Sequence, residues 1–339
     1  MPINITFRTQ LLGGVSEFSQ NINIPVFMQT LNLVELIVLL ARYQEEGKKL
    51  APKVYVTNDI SALCSMLPDS EIIRIGSCAI EPAGIKQSLK KCAPLATGGW
   101  MVYLHDNNGK DINFGLFKGS SNPISVLVDN VALTKNDDLI VVKVFKIADD
   151  CIEIKSNKGG QHYIFLDHRK EESPPPLQYL DSLVSNIVTK VKQQYYETTK
   201  TLLSRLLFDS LRESHGCIVA VINKNQVPKF LSEDGIILEN PIDFGRLVES
   251  LMMKEIDQSQ IDSKGFLLKG MLNSDGILIF DNRGRLLGYN CFIKTDKKSE
   301  VIGGARKRAF FCLKNKLGKG LCGVFMQSQD GWSDFEGVE

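Results

Sequence analysis

Apolar positions in this chain recur at two spacings, and the spacing changes along it. Across residues 25–42 they fall three and four apart, which predicts an amphipathic helix, and 53–57 reads as a short strand. From Trp100 onward the period becomes two. Val142, Val144 and Ile147, then Ile152 and Ile154, then Tyr163 and Phe165 predict a strand meander. Its turns are Asp106-Asn107-Asn108-Gly109, Asp149-Asp150 and Asn157-Lys158-Gly159-Gly160. Residues 1–170 thus read as an α/β domain. The pattern then breaks at Glu171-Glu172-Ser173-Pro174-Pro175-Pro176, where consecutive prolines remove backbone donors. Residues 171–176 are read as a linker.

Beyond it, Leu177, Leu180, Val184, Ile187 and Val191 share one helical face, and Leu202, Leu203, Leu206 and Leu207 continue the pattern. Residues 177–213 therefore read as a long connector helix or helices, running into a second α/β domain over 195–339. Residues 217–222 form a nearly unbroken apolar run, as expected of a strand buried on both faces. Residues 277–280 and 285–289 form a hairpin around Asp281-Asn282-Arg283-Gly284, and 321–326 reads as a final strand. No internal repeat of the roughly 20–50 residue kind is visible.

Bulk properties narrow the function classes. The 339 residues carry 40 basic and 39 acidic side chains, a net charge of +1, so no global field draws the chain to nucleic acid or to an anionic membrane. The longest apolar run, residues 31–40, is interrupted by Asn32 and Glu35 and falls short of the roughly 20 residues that span a bilayer. No secretory layout opens the chain, and the expected location is cytoplasmic. The 8 cysteines include no C-x-x-C pair and the 4 histidines no ligand spacing, so reduced thiols and no structural zinc site are expected. Trp100, His105 and the segment Leu166-Asp167-His168-Arg169 are the most chemically capable N-terminal residues, and each reads as structural.

Candidate chemistry concentrates between Asp275 and Asp330. Asp275-Gly276 opens the hairpin, and glycine there permits close approach of backbone to a ligand. Gly303-Gly304-Ala305-Arg306-Lys307-Arg308 brings free amides and three successive cations to a helix start, an arrangement suited to a triphosphate. Within a regular helix Arg306 and Arg308 would diverge by about 200°, so both could grip one group only if Arg306 lay in the loop. Ser328-Gln329-Asp330 then follows the strand over 321–326, where polar groups often rim a pocket.

These three pieces resemble the diadenylate cyclase domain, whose motifs are Asp-Gly-Ala at a strand, Gly-Thr-Arg-His-Arg at a helix start and Ser-Glu-Glu after a later strand. The likeness covers residues 195–332. It implies a mixed sheet flanked by helices and a site that condenses two ATP or related nucleotides into a cyclic dinucleotide second messenger. Asp275, Arg306 and Arg308 would be catalytic; Gly276, Gly303, Gly304, Lys307, Ser328 and Gln329 would bind nucleotide. Asp275 and Asp330 would hold Mg²⁺ or Mn²⁺. Because that family works as two domains face to face, self-association follows, with a regulatory or sensory role for the N-terminal domain. Ala305, Lys307 and Gln329 depart from the family pattern, which keeps open a nucleotide sensor that no longer turns over. A protein-interaction adaptor is the third reading, and it would have no need of Arg306 or Arg308.

Overall fold

A computed structural model of the chain describes residues 7–22, 24, 28, 30–45, 47–107, 109–119, 128–148, 151–166, 176–214, 216–223, 226–293, 304–328 and 333–338. The chain is mixed α/β and divides into two compact units, Met1–Ser173 and Pro174–Glu339.

In the first unit, helices α1 (Phe7–Asn21) and α2 (Thr30–Ala41) and a small hairpin, β1 (Gln44–Glu45) with β2 (Lys48–Lys49), precede the main sheet. Then come β3 (Val54–Thr57), α3 (Ile60–Ser65), β4 (Glu71–Ala79), α4 (Pro82–Cys92), β5 (Met101–Asn107), β6 (Asp111–Lys118), α5 (Val128–Ala132), β7 (Val141–Ala148), β8 (Cys151–Ser156) and β9 (Gln161–Phe165). The seven strands lie in the order β4-β6-β5-β3-β7-β8-β9, with only β3 and β5 parallel. Alternation splits each strand between two cores. Val54, Val56, Val102, Leu104, Val142 and Val144 face α1, α2 and α4, whereas Tyr55, Tyr103 and Val141 pack with Leu63 of α3 and Ala132 of α5.

The second unit opens with α6 (Pro176–Val188) and α7 (Gln193–Glu213), followed by β10 (Cys217–Ile222), α8 (Lys229–Ser232), β11 (Ile236–Asp243), α9 (Phe244–Met252), α10 (Gln258–Asn273), β12 (Ile277–Asp281), β13 (Arg285–Cys291), α11 (Ala305–Lys314), β14 (Leu321–Gln327) and β15 (Ser333–Gly337). The sheet order is β11-β13-β12-β10-β14-β15, with only β10 and β12 parallel. Val219, Val221, Leu278 and Phe280 face α6, α7, α9 and α10; Ile218, Ala220, Ile222, Ile277 and Ile279 face α8 and α11. Burial on both faces is why β10 reads as a continuous apolar run.

Two expectations change. Pro176 is the first residue of α6 rather than the end of a linker, a position where proline's missing N–H costs nothing; residues 171–175 lie outside the described residues. Of the helix or helices expected over 177–213, the chain forms two, α6 and α7. At the break, the Ile187 carbonyl accepts from the Gly284 N–H (2.9 Å) and the Lys190 N–H donates to the Asn282 carbonyl (2.7 Å), so the backbone bonds to the β12–β13 turn instead of continuing the helix. Finally, β14 is not the last strand, because β15 adds to its edge in antiparallel register from Gln327↔Ser333 to Gly323↔Gly337.

Candidate functional site

Register gathers the sequence-predicted site at one end of the second sheet. Ile218 pairs with Ile277, and Cys217 pairs with Gln327, so the first residues of β10 and β12 and the last residue of β14 lie side by side. Asp275-Gly276 enters that end from α10, whose last turn is closed by Ser274 Oγ donating to the Met271 carbonyl (2.6 Å). Gly276 sits at φ +96, and a Cβ there would meet the Cys291 carbonyl oxygen at 2.8 Å, so only glycine fits the turn. Asp275 is exposed, and its Oδ1 accepts from the Gly276 N–H (3.0 Å), which fixes the carboxylate on the turn.

Helix α11 supplies the cations. Gly304 caps it in an extended conformation, and its carbonyl accepts from the Arg308 N–H (3.2 Å). Open space surrounds Gly304 where a Cβ would project, so its identity is not a steric requirement. Arg306, Lys307 and Arg308 all lie within the helix, which places Arg306 and Arg308 about 200° apart and excludes a joint grip on one phosphate group. Arg306 is half-buried and close enough to Cys217 to act on its thiol: burial pushes that thiol up to about 12, and the guanidinium pulls the other way. Lys307 and Arg308 are exposed. Cations at a helix N-terminus oppose the macrodipole, a placement that serves an anion better than it serves the helix. The helix is held instead by Phe310 and Leu313, which bury against the sheet with Ala220 and Val324.

Ser328, half-buried, follows β14 directly, and Gln327 Nε2 ties the strand end to the Leu211 carbonyl of α7 (2.9 Å). Gly303, Gln329 and Asp330 lie outside the described residues. Among the described residues no group of three or more His, Cys, Asp or Glu side chains is gathered for a metal. Asp275 is a carboxylate at this end of the sheet, where β15 also brings Asp334, and one or two carboxylates with substrate phosphates are a usual complement for Mg²⁺.

Sequence reasoning read Cys217 only as part of the apolar run over 217–222 and passed over Leu211 at the site. The available signal was Gly216, whose φ of +95 marks the sharp entry into β10. Asp281, by contrast, belongs to the far end of the hairpin. It accepts from the Arg283 and Arg285 N–H groups (3.0 Å each) and pairs with the Arg285 guanidinium (2.6 Å), which makes it a staple of the turn. The three N-terminal candidates are structural where they are described: His105 Nε2 bonds the Asn58 carbonyl (3.1 Å), Trp100 lies beneath Lys118 (5.5 Å) and Leu166 packs on the core; residues 167–169 lie outside the described residues.

All eight cysteines are free thiols, seven of them buried. Among the described residues no helix is long and apolar enough to cross a membrane. Comparison with models of known protein families finds no match, and comparison with curated proteins finds none.

Proposed function

We propose that the second unit is a diadenylate-cyclase-like nucleotide-binding domain, which takes ATP or a related nucleoside triphosphate at the sheet end formed by β10, β12 and β14. The observation that carries this reading is convergence: the Asp275-Gly276 turn, the cationic start of α11 and the Ser328 end of β14 come from three separate stretches and meet at the same end of one sheet. Arg306, turned to the sheet, and Arg308, about 200° round the helix, would hold different phosphate groups of one extended triphosphate. The start of α11, the positive end of the helix dipole, lies beside them.

Asp275, with Asp330, would hold Mg²⁺ or Mn²⁺. The ion would supply charge neutralisation and Lewis acidity toward phosphate oxygens. Two such chains, each with one nucleotide, would join them into a cyclic dinucleotide: each ribose 3'-hydroxyl would attack the other nucleotide's α-phosphorus, its α–β anhydride bond breaking with release of one pyrophosphate per nucleotide. A second reading, a sensor that binds without turnover, is favoured by Ala305, Lys307 and Gln329, which stand where the cyclase motifs have Thr, His and Glu.

Calorimetric titration with ATP or GTP in Mn²⁺, followed by resolution of products, tests both. Arg306→Ala and Arg308→Ala are each expected to weaken binding about ten- to a hundredfold, the worth of one charge-assisted bond. A cyclic dinucleotide made by the wild type and not by Asp275→Asn identifies the enzyme. Arginine-dependent binding without product identifies the sensor. Absence of binding overturns the nucleotide reading altogether.

A further inference from the structure

The two units have one topology. Reading strands in chain order, β3, β4, β5, β6, β7 and β8 occupy the same places as β10, β11, β12, β13, β14 and β15: the orders β4-β6-β5-β3-β7-β8 and β11-β13-β12-β10-β14-β15 coincide, and the single parallel pair falls at the same position. The helices coincide too, with α3 and α5 on one face of the first sheet, as α8 and α11 are in the second, and α4 on the other face, as α9 and α10 are.

Register extends the equivalence to single residues. One row crosses the first sheet as Arg74, Gly115, Tyr103, Tyr55 and Lys143, and one crosses the second as Ile237, Gly288, Ile279, Ala220 and Val324. In both, the second residue is a glycine pressed against the edge strand. A Cβ on Gly115 would meet the Ile73 carbonyl oxygen at 2.0 Å, and one on Gly288 the Ile236 carbonyl oxygen at 2.7 Å. Both edge strands shift register just beyond that row, between Arg74 and Gly76 and between Ile237 and Ile242. Strand order alone could recur by chance; a glycine at the same place in the row, against the same edge-strand carbonyl and beside a register shift of that strand, marks two copies of one fold.

The row allows the nucleotide site to be carried into the first unit, resting on the reading of that site above. Two residues before the strand, where the second unit has Asp275, the first has Gly99; Trp100 stands where Gly276 does. Between β6 and β7, residues 119–140 contain one Lys, Arg or His, Lys135, whereas residues 292–320, between β13 and β14, contain nine. Under α5, the two cations Lys53 and Lys143 are committed to carboxylates, Lys143 to Glu153 (2.7 Å) and Asp129 (3.0 Å) and Lys53 to Asp129 (3.8 Å).

We infer that this chain contains a cyclase-like fold twice and that only the second copy binds nucleotide, so that each chain carries one. The first copy has no carboxylate at the place of Asp275 and no cation on α5, which stands where α11 does; Lys118, which lies over Trp100 (5.5 Å) at that end, pairs with Glu71 (3.5 Å). Joining two nucleotides therefore requires two chains, although each chain holds two copies of the fold.

Equilibrium dialysis of the full chain against ATP with Mn²⁺ counts the sites, in the wild type and in the doubly substituted Arg306→Ala, Arg308→Ala protein. One nucleotide per chain in the wild type, with at least a hundredfold loss of affinity in the variant, is expected. Two per chain, or one that survives the double substitution, would overturn the inference while leaving nucleotide binding intact. No bound nucleotide at all would overturn the site reading and this inference with it.

Discussion

Beneath α5 the first unit buries Lys143 against Asp129 and Glu153, with Tyr55 donating its hydroxyl to Asp129. Beneath α11 the second unit presents Ala220 and Val324 to Phe310 and Leu313, an entirely apolar contact. Tyr55 and Ala220 hold the same place in their rows, as do Lys143 and Val324. One backbone thus accommodates either a buried ionic network or a hydrocarbon core at the same spot. The exchange has a functional corollary. Charges buried and saturated by one another hold structure and are closed to a ligand, whereas beneath α11 the second unit is apolar and its cations stand at the start of that helix.

The largest way to break this comparison is Lys143→Met. Lys143 and Glu153 side chains are 7% and 5% exposed, and removing the cation leaves carboxylates uncompensated in the interior. A loss of about 3–5 kcal/mol from the first unit is expected, on the order of 10 °C in its melting temperature. Nucleotide affinity should not change. The network also predicts the direction of acid sensitivity. Burial disfavours the Asp129 carboxylate, but Lys53 and Lys143 outweigh burial and bring it down to about 2. A carboxyl lowered on folding gives stability that is present above about pH 4 and lost as pH falls toward 2. In Lys143→Met the Asp129 carboxyl loses one of those cations and its folded-state value rises, so the stability lost between about pH 4 and 2 should be smaller. Calorimetry at pH 7 and a pH series of unfolding midpoints check both points, and a variant as stable as wild type would show that the network is not what holds α5.

A second test addresses the shared row itself. Gly115→Ala and Gly288→Ala should both destabilise, by about 1–3 kcal/mol, because each new methyl meets a backbone carbonyl that cannot rotate away. The 2.0 Å approach at Gly115 is closer than the 2.7 Å at Gly288, so Gly115→Ala is expected to be the worse of the two in urea denaturation. If either glycine accepts alanine freely, the claim that the same constraint acts in both sheets fails.

What the sequence made legible follows the same physical divide. β10, β12 and the start of α11 could be read because apolar runs, turn glycines and clustered cations are local signals. β15 could not: Ser333–Gly337 carries one large apolar residue, Phe335, and is held by backbone bonds to β14 that leave no mark on side chains. A break within 177–213 was left open as helix or helices, and its place depends on Ile187 and Lys190 meeting Gly284 and Asn282, far along the chain. The duplication was invisible for a third reason. Where one copy has tyrosine and lysine the other has alanine and valine, so only the hydrogen-bond register aligns them. The candidate site was readable as three motifs; their meeting at one sheet end was not, because it rests on the pairings of Ile218 with Ile277 and Cys217 with Gln327.

The smallest expected effect bears on what the second copy has and the first lacks. Ala305 is the first residue of α11, exposed, and flanked by Gly304 and Arg306. The cyclase motif has threonine at this place, and Ala305→Thr would restore a hydroxyl at a position where nothing is packed. Should a triphosphate lie against the start of α11, that hydroxyl adds one hydrogen bond to it, worth about 0.5–1.5 kcal/mol, or up to about tenfold in affinity. The melting temperature should stay as it was. A gain seen with ATP and absent with adenosine would place the contact on the phosphates. No gain with either would mean that phosphate does not reach Ala305, and the cations of Arg306 and Arg308 would then need another explanation than the one their position on the helix suggests.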